Sequence, residues 1–308
     1  MDGVPSSLAM PFAFGSVALA WSGTWVIGKL GVTAVPPLEL NALRFAASAV
    51  LLLAIARVTG TPIARRPAGA LVASAFFGYC AYIALAFIGL TMAPASDGAL
   101  IVPTTLPVLT SVTALLIGET LTRAKVVGLV VGSAGAALVI VGGQQGAVDT
   151  PLRLTGDLLL LASALCWAIY TTLGAITLRY SSPLAVIATQ APLGALMLLP
   201  LAFLEHGFTD LGSWPALAWL DLAYLAVIGV VGSFVVFHWS VRRWGAGRAS
   251  MTSYLVPVGT LVLAVVFLGE RPEPLQYVGG AVILAGVWLS GRRRAPRSAA
   301  AVELDAAR

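Results

Sequence analysis

Charged residues are scarce in this chain. Of its 308 residues, only 10% are Asp, Glu, Lys or Arg, whereas 59% are hydrophobic. Soluble domains carry roughly 25% charged residues, and a chain this poor in charge cannot cover its helices with polar faces. The charges also cluster in short gaps between long apolar stretches. This composition excludes a soluble globular protein and predicts an all-α protein embedded in lipid.

Cysteine and histidine are also rare. Cys80 and Cys166 both lie inside apolar stretches, so neither a disulfide framework nor a cysteine-based metal motif is expected. His206 and His238 are the two histidines, and no HExxH motif is present, which disfavours an intramembrane enzyme. The sequence also lacks a glycine loop that could cradle phosphates, which argues against ATP-driven transport. We therefore expect no enzymatic activity and no cofactor.

Ten apolar stretches are long enough to cross a bilayer, which needs roughly 20 residues per helix. They cover residues 9–28, 38–56, 69–90, 94–117, 126–142, 156–178, 184–204, 217–241, 249–268 and 275–290. The first stretch lacks the basic region of a signal peptide and carries Trp21, Trp25 and Lys29, which favours a retained helix. The sequence therefore predicts ten transmembrane helices.

Basic residues fall mostly on one side of these predicted spans. With a cytoplasmic N-terminus, the cytoplasmic segments hold fourteen Lys and Arg residues, and the opposite side holds Lys29, Arg153 and Arg271. Positive charge marks the cytoplasmic side, so both termini are predicted to be cytoplasmic in a bacterial inner membrane. Residues 292–308 form a basic tail. Because the arginines are spread over many loops, a nucleic-acid partner is not expected.

Two segments of the chain repeat each other. Gly118-Glu119, Gly128 and Gly135 in one half match Gly269-Glu270, Gly279 and Gly286 in the other, each displaced by 151 residues. Upstream, Ala95-Ser96 with Pro103 is matched by Ala249-Ser250 with Pro257. Several coincidences in order indicate a duplication. The predicted units are residues 1–146 and 147–291, each with five crossings, so the second unit enters the membrane inverted relative to the first.

The sequence resembles the drug/metabolite transporter superfamily, specifically its EamA-type ten-helix exporters, which include bacterial amino acid exporters. The resemblance rests on the apolar core, the helix count and the paired motifs from Pro107 to Gly118-Glu119 to Gly128 and from Pro257 to Gly269-Glu270 to Gly279. It implies a central cavity between helices 1, 3, 4, 6, 8 and 9, with helices 5 and 10 at the periphery. Inverted repeats are the basis of alternating access, in which two halves exchange conformations around one site.

Aromatic and hydrogen-bonding residues recur at helical spacing on the proposed lining helices. Each set falls on one face of its helix. Ordinary packing is the alternative for all of them, and an anchor at the membrane interface is a further alternative for the tryptophan of helix 1. The candidates for the substrate cavity are Tyr79 and Tyr82 on helix 3, Ser163, Trp167 and Tyr170 on helix 6, Tyr254 on helix 9 and Trp25 on helix 1.

Ionisable groups and amides inside the spans complete the candidate cavity. Arg44 lies about two turns into helix 2, where a charge needs a partner. It could bind a substrate carboxylate or form a structural pair. Asn41 could face the cavity or make an interhelical hydrogen bond, and His238 could relay protons or pack at the interface. Asp97, an ionisable residue near a helix start, could be functional, and capping of that helix is the simpler explanation.

Prolines inside helices 4 and 9 remove backbone hydrogen bonds and weaken the preceding turn. Pro103, Pro107 and Pro257 are therefore candidate hinges, with static kinks as the alternative. Together these features predict a monomeric secondary transporter that exports amino acids, including aromatic and apolar ones, with lipid around it. Carriers of nucleotide-like or cationic compounds and a non-transporting receptor or scaffold are the alternatives.

Overall fold

A computed structural model describes residues 6–113, 123–144, 152–244 and 252–291, and within these ranges the regular elements are all helices. Ten helices follow each other along the described chain. They are α1 (Ser6–Ala34), α2 (Pro37–Val58), α3 (Ala68–Met92), α4 (Ala95–Thr113), α5 (Arg123–Gln144), α6 (Arg153–Thr177), α7 (Pro183–Glu205), α8 (216–244), α9 (252–268) and α10 (Pro274–Gly291). Each of them overlaps one of the ten predicted stretches.

Local sequence explains several of the helix boundaries. Proline occupies the first position of α2 and of α7, where its missing N–H is not needed. At the start of α7, the Ser182 hydroxyl also accepts a hydrogen bond from the Ala185 amide at 3.3 Å. At the end of α9, Gly269 has a φ of 65°, a left-handed conformation that favours glycine.

Five helices in the described ranges are long and apolar enough to cross a membrane. They are Pro37–Val58, Ala68–Met92, Arg153–Gly174, Pro183–Glu205 and Ala216–Phe237. Many of their outward side chains are large and apolar, including Val50 in α2, Leu196 in α7 and Leu220 in α8. A surface this apolar fits lipid rather than water. The full set of ten crossings, and the position of the termini, stay predictions.

Helices α5 and α10 cross at the glycines of the repeated motif. A Cβ atom on Gly135 would lie 2.8 Å from the carbonyl oxygen of Gly279, and one on Gly286 would lie 2.8 Å from that of Gly128. Only glycine allows backbones to approach this closely, which gives helices in lipid their packing energy. Since later residues of α5 meet earlier residues of α10, the two helices run antiparallel. The predicted inversion of the second unit would place them in this way.

Within the described ranges, three helices contain a π-turn, a feature that the sequence pattern did not predict. The π-turns cover Phe76–Ala81 in α3, Val227–Gly232 in α8 and Ala264–Leu268 in α9. The first two are displaced by the same 151 residues as the glycine motif, and each contains a glycine, Gly78 or Gly229. Such wide turns are frequent at functional sites. They direct attention to the region where α3 and α8 approach the other helices.

Candidate functional site

Four of the predicted cavity residues meet in one place. The ring centroids of Tyr82 and Trp167 are 4.7 Å apart, and those of Trp167 and Tyr170 are 4.9 Å apart. Tyr79 follows at 5.9 Å from Tyr170. These residues come from α3 and α6, which pack side by side. The helical spacing that predicted one aromatic face on each helix therefore places the two faces against each other.

Four further aromatic residues extend this group. Phe45 in α2 lies 5.2 Å from Tyr79, and Phe234 in α8 lies 6.1 Å from Trp167. Trp21 in α1 contacts Phe234 at 6.2 Å and Phe237 at 5.2 Å. Its indole N–H donates to the Ser233 hydroxyl at 2.9 Å. We call the eight residues the aromatic cluster: Trp21, Phe45, Tyr79, Tyr82, Trp167, Tyr170, Phe234 and Phe237.

The aromatic cluster draws on both predicted units. Helices α1, α2 and α3 belong to the first unit, and α6 and α8 belong to the second. Helix 2 is an addition to the set of lining helices that the resemblance implied. The phenylalanines were missed because a phenylalanine in an apolar stretch carries no polar signal. The spacing of Phe234 and Phe237 on one face of α8 is the feature that could have identified them.

Arg44 borders the aromatic cluster and is only 3% exposed. Its guanidinium carbon lies 5.2 Å from the ring centroid of Phe45 and 5.5 Å from that of Phe87. Its Nη1 donates to the side-chain oxygen of Asn41 at 3.2 Å, and it interacts electrostatically with Tyr82. The Nε atom has no hydrogen-bond partner, and the described residues place no carboxylate in contact with this guanidinium. Arg44 therefore retains unused donors at the centre of the bundle.

Asp97 forms an ion pair, which corrects the expectation that it caps a helix. Its carboxylate accepts from Arg153 Nε at 2.8 Å and from Nη2 at 3.0 Å, and from the amide nitrogen of Gln276 at 2.5 Å. These contacts join α4, α6 and α10. Buried carboxylates need such partners more than a helix N-terminus needs a cap.

The cap of α4 is supplied by a different residue. The Glu270 carboxylate, at the end of α9, accepts from the backbone amides of Ala95 at 2.7 Å and Ser96 at 2.9 Å. The repeated Gly-Glu motif of one half thus contacts the repeated Ala-Ser motif of the other. Lys29 lies near this end and donates to the carbonyl of Ala93 at 2.8 Å. Glu119, the counterpart of Glu270, lies outside the described residues.

A second carboxylate caps another helix at the same end of the bundle. Glu205, the last residue of α7, accepts from the backbone amides of Leu38 at 2.8 Å and Glu39 at 3.1 Å at the start of α2. The Glu39 carboxylate in turn accepts from the amide of Phe208 at 2.7 Å. Charge-assisted bonds of this kind are stronger than neutral ones. They hold the helix ends together at this side of the protein.

The remaining predicted residues lie apart from the aromatic cluster. Trp25 is buried against Gly98 of α4, and the Ser163 hydroxyl donates to the Leu160 carbonyl of its own helix at 2.7 Å. Asn41 bonds within α2, to Pro37 and Arg44. The side chains of Tyr254, His238 and Pro107 lie outside the described part of the structure. Pro103 and Pro257 are buried inside α4 and α9, and their role as hinges stays a prediction.

Two grooves lie elsewhere on the described surface. The larger, of about 510 Å³, lies between α4, α5 and α6 and is lined by residues such as Leu109, Ala136 and Leu161. The smaller, of about 180 Å³, lies between α4, α9 and α10 and includes Pro257. Neither is lined by the aromatic cluster, whose rings contact one another. The described residues contain no group of three His, Cys, Asp or Glu side chains that could hold a metal ion.

Comparison with known proteins identifies the family. The model of the EamA-like transporter family matches residues 9–141 and again residues 154–292. A transporter of Archaeoglobus fulgidus, itself uncharacterized, is 26% identical over 278 residues, covering 88% of this chain and 93% of the relative. The probable terminal-alkyne amino-acid exporter of Streptantibioticus cattleyicolor is 31% identical over 217 residues, covering 70% of each chain.

The fold is also similar to that of a protein in a solved crystal structure. The TM-score is 0.64 at 24% sequence identity, with 93% of this chain and 97% of the other covered. This likeness concerns the fold alone. The two family matches cover most of the chain and correspond to α1–α5 and α6–α10. The chain therefore belongs to the EamA-like transporter family, and it is a multi-pass membrane protein that transports small molecules.

Proposed function

We propose that this protein exports amino acids, including those with aromatic or apolar side chains, across a bacterial inner membrane by alternating access. The observation that carries this proposal is the aromatic cluster, which joins helices of both units around Tyr79 and Trp167. Aromatic rings offer large apolar surfaces with polar edges. An aromatic surface of this kind, with a cation beside it, suits a compact amphipathic solute. The amino-acid exporter among the relatives supports the same substrate class.

Alternating access requires that closed contacts at one end of the bundle can open while the other end closes. The bonds from Glu270 to the start of α4 join the two units in this way, because α9 belongs to the second unit and α4 to the first. By the predicted topology this end faces outward. The proposal therefore assigns the present conformation to a state closed on the outer side. The rings of the aromatic cluster would separate when substrate enters between them.

A flux assay tests the proposed function. The purified protein is reconstituted into liposomes, and uptake of a panel of labelled amino acids is compared with uptake into protein-free liposomes. We expect the protein to move phenylalanine, tryptophan or leucine above this background. A panel in which no amino acid moves would contradict the proposed function. Repeating the assay with and without a proton gradient separates facilitated diffusion from proton antiport.

A pair of tryptophan variants tests the location of the site. Trp167→Ala removes the ring that contacts Tyr82, Tyr170 and Phe234. A solute that packs on this ring would lose the burial of apolar surface as well as an aromatic contact of about 0.5–1.5 kcal/mol, so the apparent affinity should fall at least about tenfold. Trp219→Ala is the matched control, since Trp219 is 44% exposed and contacts only Trp214 among the ring pairs described. Equal flux in both variants would place the site elsewhere.

A further inference from the structure

We propose that Arg44 binds the carboxylate of the transported compound, so that the protein selects solutes with a carboxylate next to an apolar or aromatic body. This inference rests on the proposed function and adds the group that the site recognises. The first observation is that Arg44 has more hydrogen-bond donors than acceptors around it. A guanidinium has five N–H donors, and the described residues provide one hydrogen-bond acceptor, the Asn41 side chain at 3.2 Å.

The surroundings of Arg44 lower the cost of its charge without neutralising it. The guanidinium lies over the rings of Phe45 and Phe87 at 5.2 and 5.5 Å. Cation–π contacts stabilise such a charge only in part, and an ionised group buried in a membrane remains costly until an anion meets it. The Nε atom is buried and without a partner. A side chain kept charged under these conditions is suited to bind an anion reversibly.

The position of Arg44 places this charge between the two units. Arg44 is in α2, and its Nη2 atom would lie 3.6 Å from a Cβ atom on Gly229, which is in the π-turn of α8. The glycine leaves no side chain between the guanidinium and α8. Tyr82, which interacts electrostatically with Arg44, contacts Trp167 at 4.7 Å. Phe45, whose ring the guanidinium covers, lies 5.2 Å from Tyr79, so the cation and the aromatic cluster are neighbours.

The number of cations available near Arg44 favours a carboxylate over a phosphate as the bound group. Lys29 in α1 is half-buried, and it already donates to the carbonyls of Leu90 and Ala93 at 2.5 and 2.8 Å. Arg153 is paired with Asp97. Arg44 is thus the one buried guanidinium without a carboxylate among the described residues, and it matches a singly charged carboxylate, which it can bind through two parallel N–H bonds. A doubly charged phosphate group would need a second cation.

The first test compares an acid with its amide in the unmodified protein. Phenylalanine and phenylalaninamide share the ring and the amine and differ in the carboxylate. We expect the acid to compete for the site about ten- to a hundredfold better, the range of a charge-assisted bidentate pair. Equal competition by the amide would overturn the proposal. This comparison needs no variant, so it does not depend on whether a substituted protein folds.

The second test uses variants of Arg44. Arg44→Gln should reduce the preference for the acid to about one, and Arg44→Lys should keep part of it, because lysine retains the charge but lacks the planar fork. Tyr180→Phe, far out on the surface at the end of α6, is the control. A preference for the acid that survives Arg44→Gln would overturn the proposal.

A binding measurement separates this inference from the proposed function. Phenylacetate carries the ring and the carboxylate but no amine, and its binding can be followed by tryptophan fluorescence in detergent. Saturable binding that is lost in Arg44→Gln supports the carboxylate site even if no amino acid moves in the flux assay. Flux of amino acids without any discrimination between acid and amide would leave the proposed function standing and overturn the role of Arg44.

Discussion

Two arginines are buried among the described residues, and their surroundings are opposite in kind. Arg153 in α6 is 5% exposed and donates two hydrogen bonds to Asp97, which also accepts from Gln276. Arg44 in α2 is 3% exposed and contacts an amide and two ring faces, with no carboxylate among the described residues. A guanidinium with a carboxylate partner fixes helices to one another. One without such a partner remains free to bind.

The two arginines also lie in different parts of the bundle. Arg153 lies at the end where Glu270 and Glu205 cap helices of the opposite unit, so this end is held by bonds within the protein. Arg44 lies beside the aromatic cluster at the centre. A carrier needs both kinds of region. In the proposed mechanism, bonds within the protein close one entrance, while the site beside Arg44 binds the solute.

Removal of the carboxylate that pairs with Arg153 should have the largest effect on stability. Asp97→Ala removes the buried carboxylate that accepts from two Arg153 nitrogens and from the Gln276 amide, and breaking such a buried pair costs about 3–5 kcal/mol. We expect a large loss of thermal stability in detergent and poor recovery of folded protein. Arg44→Gln is the contrast, since it removes a charge that has no carboxylate partner and should change stability by less than about 1 kcal/mol. If Arg44→Gln destabilised the protein as much as Asp97→Ala, Arg44 would be structural.

The π-turn of α3 allows a test of how tightly the aromatic cluster is held. A Cβ atom on Gly78 would collide with the ring of Tyr170. Gly78→Ala should therefore displace Tyr170 from Trp167 and cost about 1–3 kcal/mol, with a change in tryptophan fluorescence. Gly174→Ala in α6 is the matched control, because a Cβ atom there meets nothing within 4 Å. An unchanged melting temperature in Gly78→Ala would mean that the aromatic cluster accommodates the added methyl group without a loss of stability.

The carboxylate at the end of α9 should have a smaller and local effect. Glu270→Ala removes the cap of α4, which is worth about 0.5–2 kcal/mol. The amides of Ala95 and Ser96 should then exchange hydrogen faster, by about two- to thirtyfold, in a peptide-resolved measurement. Glu273→Ala is the control, because the described structure shows no helix capped by its side chain. Slow exchange in Glu270→Ala would show that this contact does not hold the end closed.

Much of the architecture could be predicted because it depends on composition and local spacing. The apolar stretches predicted the positions of ten helices, and the shared offset of 151 residues identified the glycines at which α5 and α10 cross. The π-turns could not be predicted, because the sequence of these helices is compatible with a regular α-helix. A π-turn differs only in the carbonyl to which each backbone amide donates its hydrogen bond. Their common offset becomes visible only once Phe76–Ala81 and Val227–Gly232 are known.

The site was predictable only in part, for a different reason. Tyr79, Tyr82, Trp167 and Tyr170 stand out because aromatic hydroxyls and indoles are unusual inside a membrane. Whether a buried arginine has a carboxylate partner depends on helices far apart in the chain, as for Asp97 and Arg153, which are 56 residues apart. The sequence therefore identified Arg44 as costly and left open both a structural pair and a substrate carboxylate. The difference between Arg44 and Arg153 is a property of the packing.

Tyr82→Phe should have the smallest effect and would refine the contrast between the two arginines. The substitution keeps the ring that contacts Trp167 at 4.7 Å and removes only the hydroxyl near Arg44. A neutral hydrogen bond contributes about 0.5–1.5 kcal/mol, so affinity for the acid should fall by about two- to tenfold, well short of the loss in Arg44→Gln. Competition by phenylalanine in the flux assay measures this fall in affinity. A loss as large as that of Arg44→Gln would mean that the tyrosine hydroxyl and the guanidinium bind the carboxylate as one unit, and that neither suffices alone.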